Sequence, residues 1–588
     1  MIKLFCYIPL LLLTFTANAQ YYLRGEIKDE KNQGLLNVKI LLHSNNHYYF
    51  TGSYGDFGIT TNSLTDSITV CLDGYETKTV KVNCEQWQHI SLKVLSSNVI
   101  RNRPRLISVT KNLEQTSKVK WYIDEETYFQ LIENEYVAAH KFPNTGFSLN
   151  VNKASYSNVR RFINSKSMVP PDAVRTEEMV NYFNLHYLEP KNNDVFRFES
   201  QLTSCPWDME KQLLLLNINA RKLNLNMIPP GNFVFLIDAS GSMDMPNRLP
   251  LLKAAFQMFV KNLRDIDTVS IVTYGGTVGV CLQPTGGSEK EKIIKAIEEL
   301  TASGDTNGEA AIMTAYALAR TTFNAQGNNR VILATDADFN RGETSEKAME
   351  ELIVKERQGG IYLTCLGVGR GNLKDSKLAT LAKNGNGNYA YLDDINEAEK
   401  VLIKELTQTF YAVADDVFLN LKFNENLVKE YRLIGFDNRR DAVADSTIDL
   451  DGGEIGSGNS VLAIFEIVPA SDQLYKPGVF PEHKIADIEL RYSLCNDTSH
   501  LFLTRSCPAN FTEFKNMDKD LQFATAVALF GLKLKQSKYI KPVDWMDIYR
   551  IAAESYDSNI YLQAEFLKLV TDAQEIYNPK KRKKNKGD

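Results

Sequence analysis

The sequence has little excess charge, few histidines and none of several short motifs that mark common catalytic sites. Its net charge is −5, with acidic and basic residues spread along the chain, which excludes the basic domain or stripe expected for nucleic-acid binding. It has no CxxC pair, which argues against a structural zinc site. It also lacks HExxH, GxxxxGKS/T and GxSxG, the motifs of zinc proteases, phosphate-binding loops and serine hydrolases.

Long apolar runs are scarce as well, and the one that stands out lies at the start of the chain. Lys3, the apolar residues 4–15 and the sequence Ala17-Asn18-Ala19 predict a signal peptide over residues 1–19. No later stretch approaches the roughly 20 apolar residues that a transmembrane helix requires. We therefore expect an exported protein without a transmembrane segment, in the periplasm or at the cell surface in association with the outer membrane.

The cysteines are dispersed over the chain, unlike the dense disulfide framework of a small secreted domain. Cys495 and Cys507 flank a predicted hairpin, and they either pair as a disulfide or remain buried thiols. A chain of 588 residues is long enough for about four domains, and its apolar content of 44% is sufficient for packed cores.

Residues 20–95 alternate short β-branched runs with turn residues, which predicts a small antiparallel β-sandwich. The segment resembles the carboxypeptidase regulatory-like module of exported bacterial proteins through Gly25-Glu26-Ile27-Lys28-Asp29, Gly34-Leu35-Leu36, Gly55-Asp56-Phe57 and Gly74-Tyr75. That transthyretin-like module has no catalytic residues, so the resemblance implies a spacer. A linker is expected over residues 96–140, with a helix near residues 125–137.

Residues 141–229 resemble the N-terminal extension of a family of exported bacterial von Willebrand factor-type proteins. The resemblance rests on Phe147-Ser148-Leu149, Ala154-Ser155-Tyr156, Arg160-Arg161-Phe162, Pro170-Pro171-Asp172, Asn181-Tyr182-Phe183 and Cys205-Pro206-Trp207. The family usually has aspartates where this chain has Asn150 and Asn152. Asparagine keeps the hydrogen-bonding groups but loses the charge, so a contact of those acids with a cation or arginine would be weaker here.

Residues 230–412 alternate apolar strands with amphipathic helices, which predicts a doubly wound, mostly parallel α/β sheet. Strands are expected at 233–237, 269–273, 331–334 and 361–368, where continuous apolar runs suit burial on both faces. Two of the predicted helices each present four apolar residues at helical spacing to the core. These residues are Leu252, Phe256, Phe259 and Leu263 in the first, and Ile312, Tyr316, Ala319 and Phe323 in the second.

Residues 413–577 contain short predicted strands followed by two or three helices, one of which begins near Asp520. Asp437-Asn438, Gly452-Gly453-Glu454-Ile455-Gly456 and Phe530-Gly531 resemble the C-terminal region of the same family. We expect this β-rich and helical region to pack with the extension around the α/β sheet. The remaining residues 578–588 form a basic tail that we expect to be solvated.

Oxygen-bearing side chains follow two of the predicted strands directly. Asp238, Ser240 and Ser242 form a D-x-S-x-S sequence after strand 233–237, Thr306 lies in a loop just before a helix, and Asp336 follows strand 331–334. Because ligands of open α/β sheets bind outside the carboxyl ends of the strands, we expect these side chains to meet at one edge. Carboxylate and hydroxyl oxygens suit Mg²⁺, Mn²⁺ or Ca²⁺ rather than zinc or copper.

This set resembles the metal-ion-dependent adhesion site of von Willebrand factor A domains and integrin inserted domains, whose fold is Rossmann-like. The resemblance implies that Ser240, Ser242 and Thr306 ligate the cation directly, while Asp238 and Asp336 often act through water. One coordination position is then left for an acidic group of a partner.

The chain departs from this pattern immediately after the second aspartate, where the family commonly has glycine and this chain has Ala337. If that position needs a positive φ, alanine strains the turn by about 1 kcal/mol. Asp338 is a fallback ligand.

We therefore expect a non-enzymatic adhesion or envelope-assembly scaffold that binds an acidic group of a protein partner through a divalent cation, with Mg²⁺ as the first candidate. One alternative is a hydrolase that uses Ser240. However, no histidine occurs between His186 and His483, so the predicted α/β domain contains no local base. The other alternative is a structural envelope protein whose metal site is vestigial.

Overall fold

The computed structural model describes residues 21–93 and 126–578, apart from residues 31, 37, 53, 73–74, 127, 193, 225–227, 276, 304–307, 337–345, 371–372, 437–451, 472–482 and 495–498. The predicted signal peptide, Cys495 and residues 579–588 lie outside the described residues, so the expectations for them stay predictions. The chain divides into two compact units, Met1–Val119 and Lys120–Asp588.

The first unit contains seven short strands in two sheets. They are β1 Tyr21–Lys28, β2 Lys39–Leu42, β3 His47–Phe50, β4 Asp56–Thr61, β5 Thr65–Cys71, β6 Lys78–Asn83 and β7 Gln88–Ser91. The sheet orders are β4-β1-β7 and β3-β2-β5-β6, and both sheets bury alternate apolar residues such as Ile27 and Ile40 in one core. This is the expected β-sandwich. Its pairing of β1 with β7 is parallel rather than antiparallel, because the chain crosses between the sheets before β7.

The first described residues of the second unit have no regular secondary structure, although the sequence suggested a helix near residues 125–137. Described residues 128–136 form neither helix nor strand, so that expectation is wrong there. Side-chain contacts hold the segment instead: Asp172 accepts a hydrogen bond from the Leu131 backbone N–H (3.0 Å), and Asn134 donates to the Leu433 carbonyl (3.1 Å). The elements that follow are β8 Val137–Ala138, β9 Asn144–Ser148, α1 Ala154–Asn164, α2 Thr176–Asn181, β10 Phe196–Ser204 and β11 Gln212–Ala220.

A six-stranded sheet forms the centre of the second unit. Its strands are β12 Gly231–Asp238, β13 Thr268–Gly275, β14 Thr277–Gly286, β15 Asn328–Thr335, β16 Ile361–Gly367 and β17 Tyr389–Tyr391, in the order β14-β13-β12-β15-β16-β17. All neighbours are parallel except the edge pair β13–β14. The doubly wound, mostly parallel α/β sheet expected from the sequence is therefore confirmed.

Helices cover both faces of the central sheet. They are α3 Leu249–Lys261, α4 Lys290–Glu298, α5 Gly308–Thr321, α6 Glu346–Gln358, α7 Asp375–Asn384, α8 Ile395–Glu399 and α9 Leu406–Phe410, with a π-helical turn at Lys400–Lys404. Seven of the eight apolar residues expected in the core are buried. Phe323 is 42% exposed, because α5 ends at Thr321 and helical spacing no longer places residue 323 on the inner face.

Strands from before and after the central sheet build two further sheets together. The later elements are β18 Ala412–Phe423, β19 Val428–Ile434, β20 Gly453–Gly456, β21 Ser460–Pro469, β22 Lys484–Ser493, β23 His500–Pro508, β24 Phe511–Thr512, α10 Lys519–Leu534, α11 Trp545–Ser555 and α12 Tyr561–Tyr577. One sheet has the order β24-β10-β11-β21-β19-β8, and in the other β9 pairs with β18 beside β20, β22 and β23. Helices α10–α12 share a core with α1 and α2. Among the described residues, none of the helices has the length and apolar character needed to cross a membrane.

Candidate metal centre

Strand β12 delivers Asp238 to the carboxyl edge of the central sheet. Every residue of this strand is buried, which fixes its end between β13 and β15. The carboxylate of Asp238 is fully buried, and it accepts hydrogen bonds from the Ser240 backbone N–H (2.9 Å) and the Thr335 hydroxyl (2.8 Å). The ends of two neighbouring strands therefore hold this carboxylate in one orientation.

The chain after Asp238 turns so that two hydroxyls meet. Ser240 is 3% exposed and Ser242 is exposed, and their Oγ atoms lie 3.1 Å apart. Ser242 belongs to a short 3₁₀ turn, Gly241–Met243, before α3 begins at Leu249. The spacing of two residues places one hydroxyl beside the buried carboxylate and the other towards the solvent.

Asp336 joins this group from the neighbouring strand. Strands β12 and β15 are parallel with Ile237 opposite Ala334, so Asp238 and Asp336 both emerge at the same edge. Asp336 is also fully buried, and Arg248 Nη1 donates to its Oδ2 at 2.5 Å. Two buried carboxylates thus stand beside one guanidinium and two hydroxyls.

The electrostatics of Asp238 reflect this environment. Burial raises the pKa of Asp238 to about 6, and the negative charge of Asp336 acts in the same direction. The hydrogen bonds from Ser240 and Thr335 lower the pKa, but these neutral donors do not offset the cost of removing the carboxylate from water. A positive charge placed beside Asp238 would relieve that cost.

Of the five ligands expected from the sequence, the structure brings four together: Asp238, Ser240, Ser242 and Asp336. Thr306 lies outside the described residues, so its placement stays a prediction. The loop that contains it starts at this edge, because the Ser303 N–H donates to the Ala239 carbonyl at 2.7 Å.

Sequence reasoning missed Arg248, which contacts both the second carboxylate and the serine loop. Besides Asp336, its Nη1 donates to the Ser242 carbonyl at 2.7 Å. A signal was present, because Arg248 is the first basic residue after Asp238 and directly precedes a helix that the apolar spacing predicted. Ala337, the departure from the family pattern in the site, and the fallback ligand Asp338 both lie outside the described residues.

The donor set fits a hard divalent cation. The hydroxyls of Ser240 and Ser242 lie together next to the buried Asp238, and Arg248 links the Asp336 carboxylate to the Ser242 carbonyl. These oxygen donors suit Mg²⁺, Mn²⁺ or Ca²⁺. For the hydrolase alternative, the described structure pairs the Ser240 hydroxyl with Ser242 rather than with a histidine. The geometry therefore resembles an ion site more than an activated nucleophile.

A second group of possible ligands, His186, Asp518 and Asp520, lies at the start of α10. Asp518 is the N-cap of that helix and accepts from the Asp520 N–H at 2.9 Å, while Asp520 accepts from the His186 N–H at 3.0 Å. Helix capping accounts for Asp518, and the contact with the His186 backbone accounts for Asp520. The helix N-terminus is also positive and therefore opposes a bound cation.

Three family models match parts of the chain. Residues 122–215 match a model described as von Willebrand factor, residues 233–339 match the von Willebrand factor type A domain, and residues 408–576 match the C-terminal region of the uncharacterized protein YfbK. The second match spans the candidate site from Asp238 to Asp336.

Similar proteins include the uncharacterized protein YfbK of Escherichia coli (strain K12), which is 36% identical over 461 residues, 75% of this chain and 80% of that protein. Inter alpha-trypsin inhibitor heavy chain 4 of Mus musculus is 27% identical over 146 residues, 24% of this chain and 15% of that protein. Among solved structures, a von Willebrand factor type A protein from Catenulispora acidiphila has 16% identity and a TM-score of 0.36 over 55% of this chain and 76% of its own. BatB of Bacteroides thetaiotaomicron has 22% identity and a TM-score of 0.25 over 30% of this chain and 97% of its own.

Proposed function

Because the chain belongs to the family of Escherichia coli YfbK and contains a von Willebrand factor type A domain, we propose that it is an exported, metal-ion-dependent scaffold that binds a protein partner. Domains of this type generally mediate protein–protein interaction or adhesion. The proposal adds a metal-dependent contact and a cellular location to that general role.

The proposed cation site consists of Asp238, Ser240, Ser242, Thr306 and Asp336. The observation that carries it is the 3.1 Å approach of two serine hydroxyls beside two fully buried carboxylates at the carboxyl edge of the sheet. Mg²⁺ is the first candidate, with Mn²⁺ and Ca²⁺ as alternatives that the same oxygen donors accept. The exposed side of Ser242 leaves room for a carboxylate of the partner to complete the coordination.

The proposed location follows from the predicted signal peptide over residues 1–19, which directs the chain to the periplasm or the cell surface. In this arrangement the N-terminal β-sandwich acts as a carboxypeptidase regulatory-like spacer. Function then depends on binding and assembly, without catalytic turnover.

The proposal is tested by calorimetric titration of the chain from residue 20 onward with Mg²⁺ and with Mn²⁺. We expect one site, strongly weakened in Asp238→Asn, Ser242→Ala and Thr306→Ala. The matched control is Asp244→Asn, which removes an exposed acid from the same loop and should leave the titration unchanged. Equal binding by wild type and Asp238→Asn would remove the assignment.

Partner binding is tested separately by adding the purified chain to envelope extract with and without EDTA. We expect captured proteins that are released by EDTA and absent when Thr306→Ala is used. Capture that neither treatment affects would place the partner on a metal-independent surface.

A broad esterase and peptidase screen with Ser240→Ala as the control tests the hydrolase alternative. Turnover that is lost in that variant would replace the scaffold proposal.

A further inference from the structure

Arg248 connects three segments at the candidate metal centre. Its guanidinium donates to the Asp336 carboxylate at 2.5 Å, to the Ser242 carbonyl at 2.7 Å and to the Arg370 carbonyl at 3.0 Å. The side chain is 6% exposed, so this charge is fixed in the structure rather than solvated. A buried arginine with several partners is held in one place and exerts its charge at short range.

The loop after β16 is shaped to accept this guanidinium. Gly369 has a φ of +85°, and a Cβ at that position would lie 2.6 Å from Arg248 Nε. The Tyr391 hydroxyl donates to the Gly369 carbonyl at 2.6 Å, which anchors the loop. Glycine is needed here for both the positive φ and the close approach.

The position of Arg248 changes the charge of the site. Asp238 and Asp336 contribute two negative charges, so a divalent cation held by them alone would make a neutral centre. With Arg248 in contact with Asp336, the described charged residues of the centre, together with a divalent cation, sum to one positive charge. We infer that Arg248 is a built-in counter-charge that weakens cation binding and makes the loaded site select an anionic ligand, a carboxylate. This inference rests on the proposed function and assigns to Arg248 the balance between cation affinity and anion affinity at the same site.

A purely structural role for Arg248 makes a different prediction. If the arginine only ordered the loops, its loss would weaken the binding of the cation and the binding of the anion together. A counter-charge has effects of opposite sign, because removing it strengthens attraction for the cation and weakens attraction for the anion.

The test compares Arg248→Gln and Arg248→Lys with wild type in the chain from residue 20 onward. Mn²⁺ affinity is measured by calorimetry, and acetate affinity by the broadening of its methyl resonance near protein-bound Mn²⁺. For Arg248→Gln we expect Mn²⁺ to bind about tenfold tighter and acetate about tenfold weaker, since a unit charge has been removed at short range. Arg248→Lys keeps the charge but loses part of the hydrogen-bonding geometry, so both affinities should stay within about threefold of wild type if the charge is what matters.

If Arg248→Gln does not fold, Gly369→Ala replaces it, because the added Cβ pushes the guanidinium away from Asp336 and should produce shifts of the same signs and smaller size. Weaker Mn²⁺ binding in the folded variant, or unchanged acetate binding, would overturn the inference while the metal site stands. Absence of Mn²⁺ binding by wild type would overturn the proposed function and this inference with it.

Discussion

Buried carboxylates occur both at the candidate metal centre and where α1 and the start of α2 meet the central α/β region, but the two regions neutralise them differently. At the helical interface the chain supplies arginines. Arg160 Nη2 donates to Asp393 at 2.5 Å and to Glu397 at 2.7 Å, and Arg175 Nη1 donates to Asp375 at 2.6 Å. These pairs cross from the segment before the α/β sheet to its later helices.

At the metal centre, the hydrogen bonds to Asp238 come from neutral groups, the Ser240 backbone and the Thr335 hydroxyl. Arg248 donates to Asp336 instead. At the helical interface, where the chain provides the countercharge, buried acids fix the packing of this protein. At the metal centre, where neutral donors surround Asp238, we propose that a cation from outside the chain supplies the positive charge.

The largest effect is expected at the helical interface. Arg160→Met leaves Asp393 and Glu397 buried without their cation and should lower the free energy of unfolding by about 3–5 kcal/mol. Chemical denaturation measures this change. Arg550→Met, which breaks an exposed pair with Asp547, is the control and should cost less than about 1 kcal/mol. Similar costs for the two variants would erase the distinction between the regions.

At the metal centre, substitution of a buried charge should raise the free energy of unfolding when EDTA keeps the site free of metal. Asp238→Asn removes a buried negative charge whose ionisation burial disfavours, so the free energy of unfolding at pH 7 should rise by about 1–3 kcal/mol. Thermal unfolding with and without Mg²⁺ measures this and should show that only wild type gains stability from the ion. Destabilisation of the variant in EDTA would mean that Asp238 already has its countercharge within the chain.

Acid should weaken cation binding through Asp238. Because burial raises the pKa of this carboxyl to about 6, protons compete with the cation below that pH. Lowering the pH from 7 to 5 should weaken Mg²⁺ binding by about tenfold, as measured by calorimetry at each pH. In EDTA, the free energy of unfolding should be higher near pH 4, where Asp238 is protonated in the folded protein. This stability is lost as the pH rises through 6 and the buried carboxyl ionises. A cation affinity that is flat from pH 7 to 5 would contradict this assignment.

The smallest effect is expected at Asn152, where the family usually has aspartate. Asn152 Oδ1 accepts a hydrogen bond from the Tyr389 backbone N–H at 2.8 Å. Asn152→Asp keeps the acceptor and should change the free energy of unfolding by less than about 0.5 kcal/mol, whereas Asn152→Leu should cost about 1 kcal/mol. A large gain from Asn152→Asp would show that the interface needs the missing charge.

Periodicity was sufficient to predict the central fold. Continuous apolar runs predicted β12, β13, β15 and β16, because strands buried on both faces need apolar residues at nearly every position. The segment at residues 128–136 was predicted incorrectly, since tertiary contacts rather than local propensity hold it. The Leu131 N–H donates to Asp172, and Asn134 donates to the Leu433 carbonyl. Phe323 continued a helical spacing beyond the end of its helix.

The candidate site was predictable as far as its oxygen donors, because strand ends in a parallel sheet share one edge. Arg248 was not predicted, since a single arginine before a helix does not reveal which carboxylate it will contact. That contact depends on the loop at Gly369, which lies over a hundred residues further along the chain and leaves space for the guanidinium. Pairings of this kind are set by tertiary structure.

Anomalous diffraction from crystals grown with Mn²⁺ tests the proposed metal centre most directly. We expect a peak in contact with the hydroxyl oxygens of Ser240, Ser242 and Thr306, with Arg248 still bound to Asp336. A peak at His186 and Asp518, or a hydroxyl of Thr306 turned away from the two serines, would contradict it.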